Sequence, residues 1–341
     1  MVDTMSNKGI NVLSLFDGMS CGQQALDRLG IRVNKYYAAE IDKYAIQITQ
    51  KNFPDTIQLG DVCGVVAKDL PKVDLLLAGS PCQGFSFAGK QLAFDDPRSM
   101  LFFEFIRLLR ELKPKYFLLE NVRMKKEYLD IITEHVGGIE PILINSALVS
   151  PQNRWRYYWT NIKGVTQPED RGLVLRDALE DYTDDMYLAG EKLQKNYKGG
   201  NQLNPNYKSQ ANTIHDIDNK SGTICAGTHG YANGYVAGAW RGRYKIDGVR
   251  QDGKGSVAGK TTQMLELRKD EKTNALTTVQ KDNVVVDNDT MNWRKLTPLE
   301  CERLQTVDDN YTEGVSNTQR YKMLGNGWTI DVISHILSNI K

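Results

Sequence analysis

Along the first 160 residues, apolar positions fall in short runs, and each run ends in polar or reactive groups. Asn11 to Phe16 runs into Asp17-Gly18, Val33 to Ala39 into Glu40, Val73 to Ala78 into Gly79-Ser80-Pro81, and Tyr116 to Leu119 into Glu120-Asn121. Runs of this length bounded by turn residues predict buried strands. Between them, Gln23 to Leu29, Tyr44 to Lys51 and Ser99 to Leu112 carry apolar residues at helical spacing. Ile142 to Val149 and Tyr157 to Ile162 extend the strand series. Strand and helix in alternation predict a doubly wound α/β sheet, whose ligands sit beyond the carboxyl ends of its strands.

The pattern then changes. Pro168 to Glu191 is acidic, and from Lys192 to Lys260 helical periodicity is absent. That second stretch holds eleven Lys/Arg against four Asp/Glu, a local net charge of +7, and 12 of the chain's 29 glycines. Short strands and turns suit it better than helices, with Gly and Asn supplying positive φ. A weak repeat joins Lys220–Ile224 with Tyr235-Val236, and Lys272–Leu276 with Val284–Val286; Lys208–Ile214 is a candidate third copy. Helical signals return at Thr297-Pro298-Leu299-Glu300, which reads as an N-cap, a first-turn proline and a reciprocal glutamate. Trp328 to Ile340 is a closing amphipathic segment. The expected organisation is an α/β domain over residues 1–162, a β-rich insertion over 163–291, and a return over 292–341.

Composition limits the function classes. The 341 residues are 40% hydrophobic and 25% charged with a net charge of +1, which excludes a disordered chain or a generally basic coat protein. The insertion's local charge nevertheless allows a nucleic-acid face. No apolar run reaches membrane-span length, and the polar start lacks a signal peptide's apolar core, so a cytoplasmic protein is expected. Five scattered cysteines without a CxxC pair suggest a reduced compartment and no metal site.

Four short segments carry the chemistry. In Phe16-Asp17-Gly18-Met19-Ser20-Cys21-Gly22 a glycine turn links the first strand to the first helix, where a ligand can meet backbone and helix N-terminus. The nicotinamide fingerprint GxGxxG is missing. Glu40, ending the second strand, stands where ribose hydroxyls are gripped, and Asp61 follows Gly60 within reach of an adenine amine. Together they suit a nucleoside cofactor without a pyrophosphate, such as S-adenosylmethionine. In Ser80-Pro81-Cys82-Gln83-Gly84-Phe85-Ser86 a cysteine just past a buried strand sits in a Pro/Gly-shaped loop, which suits a nucleophile. The competing reading, a buried structural cysteine, suits Cys21, Cys63, Cys225 and Cys301 better. Glu120, ending another apolar run, is a partly desolvated acid, or a helix N-terminal one. In Gln152-Asn153-Arg154-Trp155-Arg156 the two arginines share one side of an extended segment and could orient an anion or a base. Taken alone they read as a solvated basic strand start.

In this order the motifs resemble those of the cytosine-5 DNA methyltransferases, over about residues 10–162 and 292–340. Asp17 and Ser20-Cys21-Gly22 make the first motif similar to that of the animal de novo enzymes. Gly325-Asn326-Gly327 resembles the last motif, with Gly327-Trp328 where a small-then-Val pair is commoner. The resemblance implies a Rossmann-like methyltransferase sheet with a target recognition domain inserted. It implies Cys82 as nucleophile on cytosine C6, Glu120 as acid at N3, and Arg154 and Arg156 as orienting groups. It implies S-adenosylmethionine held by Phe16, Gly18, Met19, Glu40, Ile41, Asp61, Val62, Leu101 and Asn326. Gln83 and Ser86 would touch DNA, and Arg241, Arg243 and Arg250 are candidates for guanine readout. The target cytosine must leave the duplex, because C6 is inaccessible in the stack. The expected partner is double-stranded DNA, read by a monomer, with a cognate restriction endonuclease as a second partner. A tRNA cytosine-5 methyltransferase and a catalytically silent DNA-binding relative are the competing readings. A nicotinamide enzyme is disfavoured by the missing fingerprint.

Overall fold

The computed structural model describes residues 9–79, 100–180, 235–246, 249–250, 261–267, 272–276, 284–287 and 293–340. Seven strands form the main sheet: β1 (Ile10–Leu15), β2 (Val33–Ala39), β3 (Ile57–Gln58), β4 (Leu75–Gly79), β5 (Tyr116–Val122), β6 (Ile142–Asn145) and β8 (Trp155–Thr160). Their order is β3-β2-β1-β4-β5-β8-β6. β1 pairs in parallel with both β2 and β4, β2 with β3, and β4 with β5. β8 runs antiparallel to β5 and β6. The chain thus winds outward from β1 in one direction, returns, and winds outward in the other. The gap between the carboxyl ends of β1 and β4 is the topological switch point, where such sheets bind ligands.

The alternation of side chains along each strand covers both faces of the sheet. Val12, Leu75, Leu77 and Leu118 point to one face and pack on α1 (Cys21–Arg28) and α7 (Ile330–Leu337) through Ala25, Leu26, Ile333 and Ile336. Leu13, Leu15, Leu76, Ala78 and Leu119 point to the other face. They meet α3 (Met100–Leu112) and α4 (Lys126–His135) through Phe102, Phe105, Ile132 and Val136. The last helix therefore closes a layer opened by the first. α2 (Lys43–Asn52) begins at an Asp42 N-cap that accepts from Tyr44 N–H at 3.0 Å.

The strand and helix runs expected from the pattern are present, with ends shifted by one to three residues in most cases. α4 and the two-residue β3 are additions to the expected set. Ile142–Val149 divides into β6 and a 3-10 turn over Ser146–Leu148. The Thr297 signal is a complete capping box: Glu300 N–H donates to Thr297 Oγ1 at 3.1 Å and Thr297 N–H to Glu300 Oε2 at 2.8 Å. It starts α5 (Pro298–Leu304), and α6 (Asn317–Asn326) follows.

A smaller sheet is built from β9 (Tyr235–Ile246), β10 (Val249–Arg250), β11 (Thr261–Leu267), β13 (Val284–Asp287) and β14 (Trp293–Lys295). Its order is β10-β9-β13-β14, with β11 also on β9. β12 (Thr273–Asn274) pairs instead with β7 (Gln152–Asn153), tying this region to the segment before β8. The first and third copies of the weak repeat, apart from Tyr235-Val236, lie outside the described residues. Val165, Leu175 and Ala178 pack in the core of the main unit, beyond residue 162. β14 still belongs to the smaller sheet, beyond residue 291. No helix among the described residues is long and apolar enough to cross a membrane.

Candidate active site

A cavity of about 470 Å³ opens at the switch point. Its first wall is the turn after β1. Phe16, Gly18 and Ser20 all adopt left-handed backbone conformations, with φ of 57°, 58° and 58°. For Phe16 and Ser20 that conformation is strained. It persists because the turn is tied down from beneath. Asp17 accepts hydrogen bonds from Ser20 Oγ and, at 2.8 Å, from Tyr36 Oη. Thr49 Oγ1 donates to Ser20 Oγ at 3.2 Å. Glu40 secures the turn laterally: its carboxylate accepts Gly18 N–H, Ile41 N–H and Asp42 N–H, each at 2.8 Å.

Asp17 is an acid almost shut off from water. Burial pushes its carboxyl up to about 6, against the lowering effect of its hydroxyl donors. The folded state therefore binds the proton more tightly than the unfolded state does. The group's contribution to stability is complete below pH 4 and is lost as pH rises through 6. A rise of this size is worth about 3 kcal/mol. Asp17→Asn should remove this pH dependence. Urea unfolding should show the stability difference, variant minus wild type, rising by about 3 kcal/mol between pH 4 and pH 7. A constant difference would show that Asp17 does not titrate in this range.

Most of the expected cofactor residues meet in this cavity. Phe16, Gly18, Glu40, Ile41, Asp61, Val62, Leu101 and Asn326 all line it. Ile41 is 75% exposed, an apolar side chain left uncovered at the rim. Asp61 caps a 3-10 turn by accepting Cys63 N–H at 2.9 Å. Met19 is not among the lining residues. Its side chain is buried in the core at 1% exposure, and its carbonyl accepts Tyr311 Oη at 2.7 Å. Of the cysteines read as buried and structural, Cys21 fits that reading and Cys63 does not. Cys21 lines the cavity, and burial pushes its thiol up to about 12, far from a reactive thiolate. Cys63 is exposed rather than buried.

The opposite wall carries the candidate catalytic groups. Glu120 lies inside β5, not at a helix start, and is 8% exposed. The β5–β8 register sets Val122 across from Arg156. Arg156 Nε lies 2.8 Å from Glu120 Oε1. Its N–H is not aimed at that oxygen, so the pair is a charge contact rather than a hydrogen bond. Arg154 behaves differently and is not a solvated charge: it is 3% exposed. Its guanidinium donates to the carbonyls of Gly327 at 2.9 Å, Gly325 at 3.4 Å and Leu276 at 3.3 Å. Arg156 is thus set to orient Glu120, while Arg154 fastens the returning Gly325–Gly327 segment onto the cavity.

Trp328 completes the enclosure, and sequence reasoning does not select it. A Cβ on Gly79 would stand 2.8 Å from Trp328 Nε1, and one on Gly327 would stand 3.0 Å from Met19 Cε. Glycine at 79 makes room for the indole, and glycine at 327 lets the returning backbone close on the core. Asp42 and Lys322, also on the lining, meet as Lys322 Nζ to Asp42 Oδ2 at 2.5 Å, joining α2 to α6. Cys82, Gln83 and Ser86 lie outside the described residues. Arg241 and Arg243 fall on β9, opposite Met264 and Thr262 of β11, and Arg250 falls on β10 opposite Lys245.

A switch-point cavity lined by a glycine turn, a strand-end acid and a buried Glu–Arg pair defines a nucleoside-cofactor transferase. The chain belongs to the C-5 cytosine-specific DNA methylase family, whose profile matches residues 10–341. It is similar to the orphan methyltransferase M.SPRI of Bacillus phage SPR, 29% identical over 97% of this chain and 97% of that one. The type II methyltransferase M1.ScrFI of Lactococcus lactis subsp. cremoris is 32% identical over 89% of this chain and 71% of that protein. The fold matches that of the S. pombe Dnmt2 methyltransferase with a TM-score of 0.61, at 18% identity over 96% of this chain and 97% of that one. This protein is a DNA cytosine-5 methyltransferase. That decides for DNA over tRNA and sets aside the silent relative and the nicotinamide enzyme.

Proposed function

We propose that the protein binds S-adenosylmethionine in the switch-point cavity and methylates C5 of a cytosine extruded from a specific double-stranded DNA sequence. The observation that carries this reading is the meeting, in one cavity, of the Phe16–Gly18 turn and Glu40 with the Glu120–Arg156 pair. The cavity fits the cofactor chemically. Ile41 and Phe16 offer apolar surface to an adenine, Asp61 an acceptor for its amine, and Glu40 a carboxylate at ribose height. Asn326 and Leu101 complete the pocket. When bound, the cofactor supplies an electrophilic methyl group.

The residues then divide the work. Cytosine C5 is a poor nucleophile until a thiolate adds to C6. Cys82 is the proposed thiolate, entering from the loop after β4, whose last residue Gly79 lines the cavity. Glu120 delivers a proton to N3 as the thiolate adds, so C5 becomes enamine-like and takes the methyl. Arg156 keeps the Glu120 carboxyl directed at the base edge, and Arg154 maintains the wall behind it. Loss of the C5 proton, departure of the Cys82 thiolate and return of the N3 proton to Glu120 restore the aromatic ring as 5-methylcytosine.

Sequence choice is assigned to the smaller sheet. Arg241 and Arg243 are two apart on β9. With Arg250 they are the proposed guanine readers, while Gln83 and Ser86 are proposed to touch DNA beside the target. The protein is proposed to act as a monomer. A cognate restriction endonuclease would cut the same sequence when unmethylated. Bisulfite sequencing of DNA from a methylation-free host expressing the protein should show methylcytosine at one short sequence. Unmethylated DNA would overturn the reading.

A further inference from the structure

Trp155 stands out on the strand that supplies Arg156. It is 39% exposed, and among the described residues it is the one aromatic side chain among the exposed large hydrophobics. The antiparallel register of β5 with β8 ends at Val122 opposite Arg156, and Arg123 is the first residue past β5 while Trp155 opens β8. The guanidinium of Arg123 lies over the Trp155 ring, 6.0 Å from its centroid. Arg123 is itself exposed, at the carboxyl end of β5, three residues beyond Glu120.

The charges around this pair differ in how far they are engaged. Lys126 Nζ is 2.9 Å from Asp130, and Lys125 Nζ is 3.7 Å from Glu127. Among the described residues no carboxylate forms an ion pair with Arg123. An exposed indole and a cation held against it form an amphipathic step beside the cavity rim. The pair matches what base extrusion creates: an unstacked neighbouring nucleotide and a distorted phosphodiester strand.

We propose that Arg123 and Trp155 form a contact for the DNA strand that carries the target cytosine. Arg123 holds a phosphate next to the extruded nucleotide, and the Trp155 face receives the sugar or base that extrusion leaves unstacked. The proposal rests on the reading that the Glu120 cavity takes the extruded cytosine.

The test is anisotropy of a fluorescein-labelled duplex carrying the sequence that bisulfite mapping identifies, across about 50 to 200 mM salt. Arg123→Ala should lower the slope of log affinity against log salt by about 0.9, the value of one lost phosphate contact, and Arg123→Lys should restore it. Trp155→Ala should weaken binding about tenfold with the slope unchanged, and Trp155→Phe should recover most of the loss. Cofactor affinity should stay at the wild-type value in all four variants, which reports that the cavity is intact. Lys35→Ala, at the amino end of β2, should leave both affinity and slope unaltered. Wild-type affinity and slope in both alanine variants, with the wild-type protein methylating the same duplex, would overturn the proposal. A wild-type protein that neither bound nor methylated the duplex would overturn the reading beneath it.

Discussion

Glu120→Gln is expected to lower the rate of methyl transfer by about 10² to 10⁴, the range for losing a positioned general acid. Glutamine keeps the volume and a hydrogen-bonding end, but it has no proton to deliver to N3. C5 then stays electron-poor when the thiolate adds. The change also leaves Arg156 without the carboxylate 2.8 Å from its Nε. An unpaired guanidinium at a cavity wall costs less than one in a dry core, because water can reach it; a loss of about 1–3 kcal/mol in stability follows. Single-turnover transfer from labelled S-adenosylmethionine separates the two effects. Cofactor affinity should move by no more than a few fold, because Glu120 faces the base end of the cavity. A variant with the wild-type single-turnover rate would remove Glu120 from the chemistry.

Cys82→Ser is expected to cost at least about 10⁴ in rate, since it removes the proposed nucleophile that activates C5. A serine hydroxyl stays protonated at neutral pH where a thiol in a favourable field ionises. Cofactor binding should survive. The matching control is Cys301→Ala. Cys301 is buried on α5, where burial pushes its thiol well up, and it is remote from a nucleophile's requirements. That variant should retain methylation with a modest loss of stability. If Cys82→Ser kept full activity, the nucleophile would have to be sought elsewhere.

Much of the site is legible in local pattern, because the pieces that meet are strand ends. Apolar runs stopping at Gly18, Glu40, Gly79 and Glu120 mark four adjacent carboxyl ends, and strand order brings them together. Local pattern does not carry the direction of individual side chains or their long-range fit. Met19 reads as a turn residue, but its side chain is buried in the core. Arg154 and Arg156 do share one side of an extended segment. Their different tasks depend on Gly325–Gly327 arriving from the far end of the chain. Trp328 is hidden from a sequence reading for the same reason, since the space it fills is made by Gly79, on another element. α4 is hard to read because its apolar stripe is short and it follows directly on a polar strand end.

Covalent capture by Cys82 can be observed on a duplex with 5-fluorocytosine at the mapped target position. Fluorine at C5 cannot leave as a proton, so the adduct formed after methyl transfer should persist. The expected result is a denaturation-stable protein–DNA complex that requires S-adenosylmethionine, maps to the peptide containing Cys82, and is absent from Cys82→Ser. An adduct mapping to another residue, or methylation of normal duplex with no adduct on the fluorinated one, would contradict attack by Cys82 on C6.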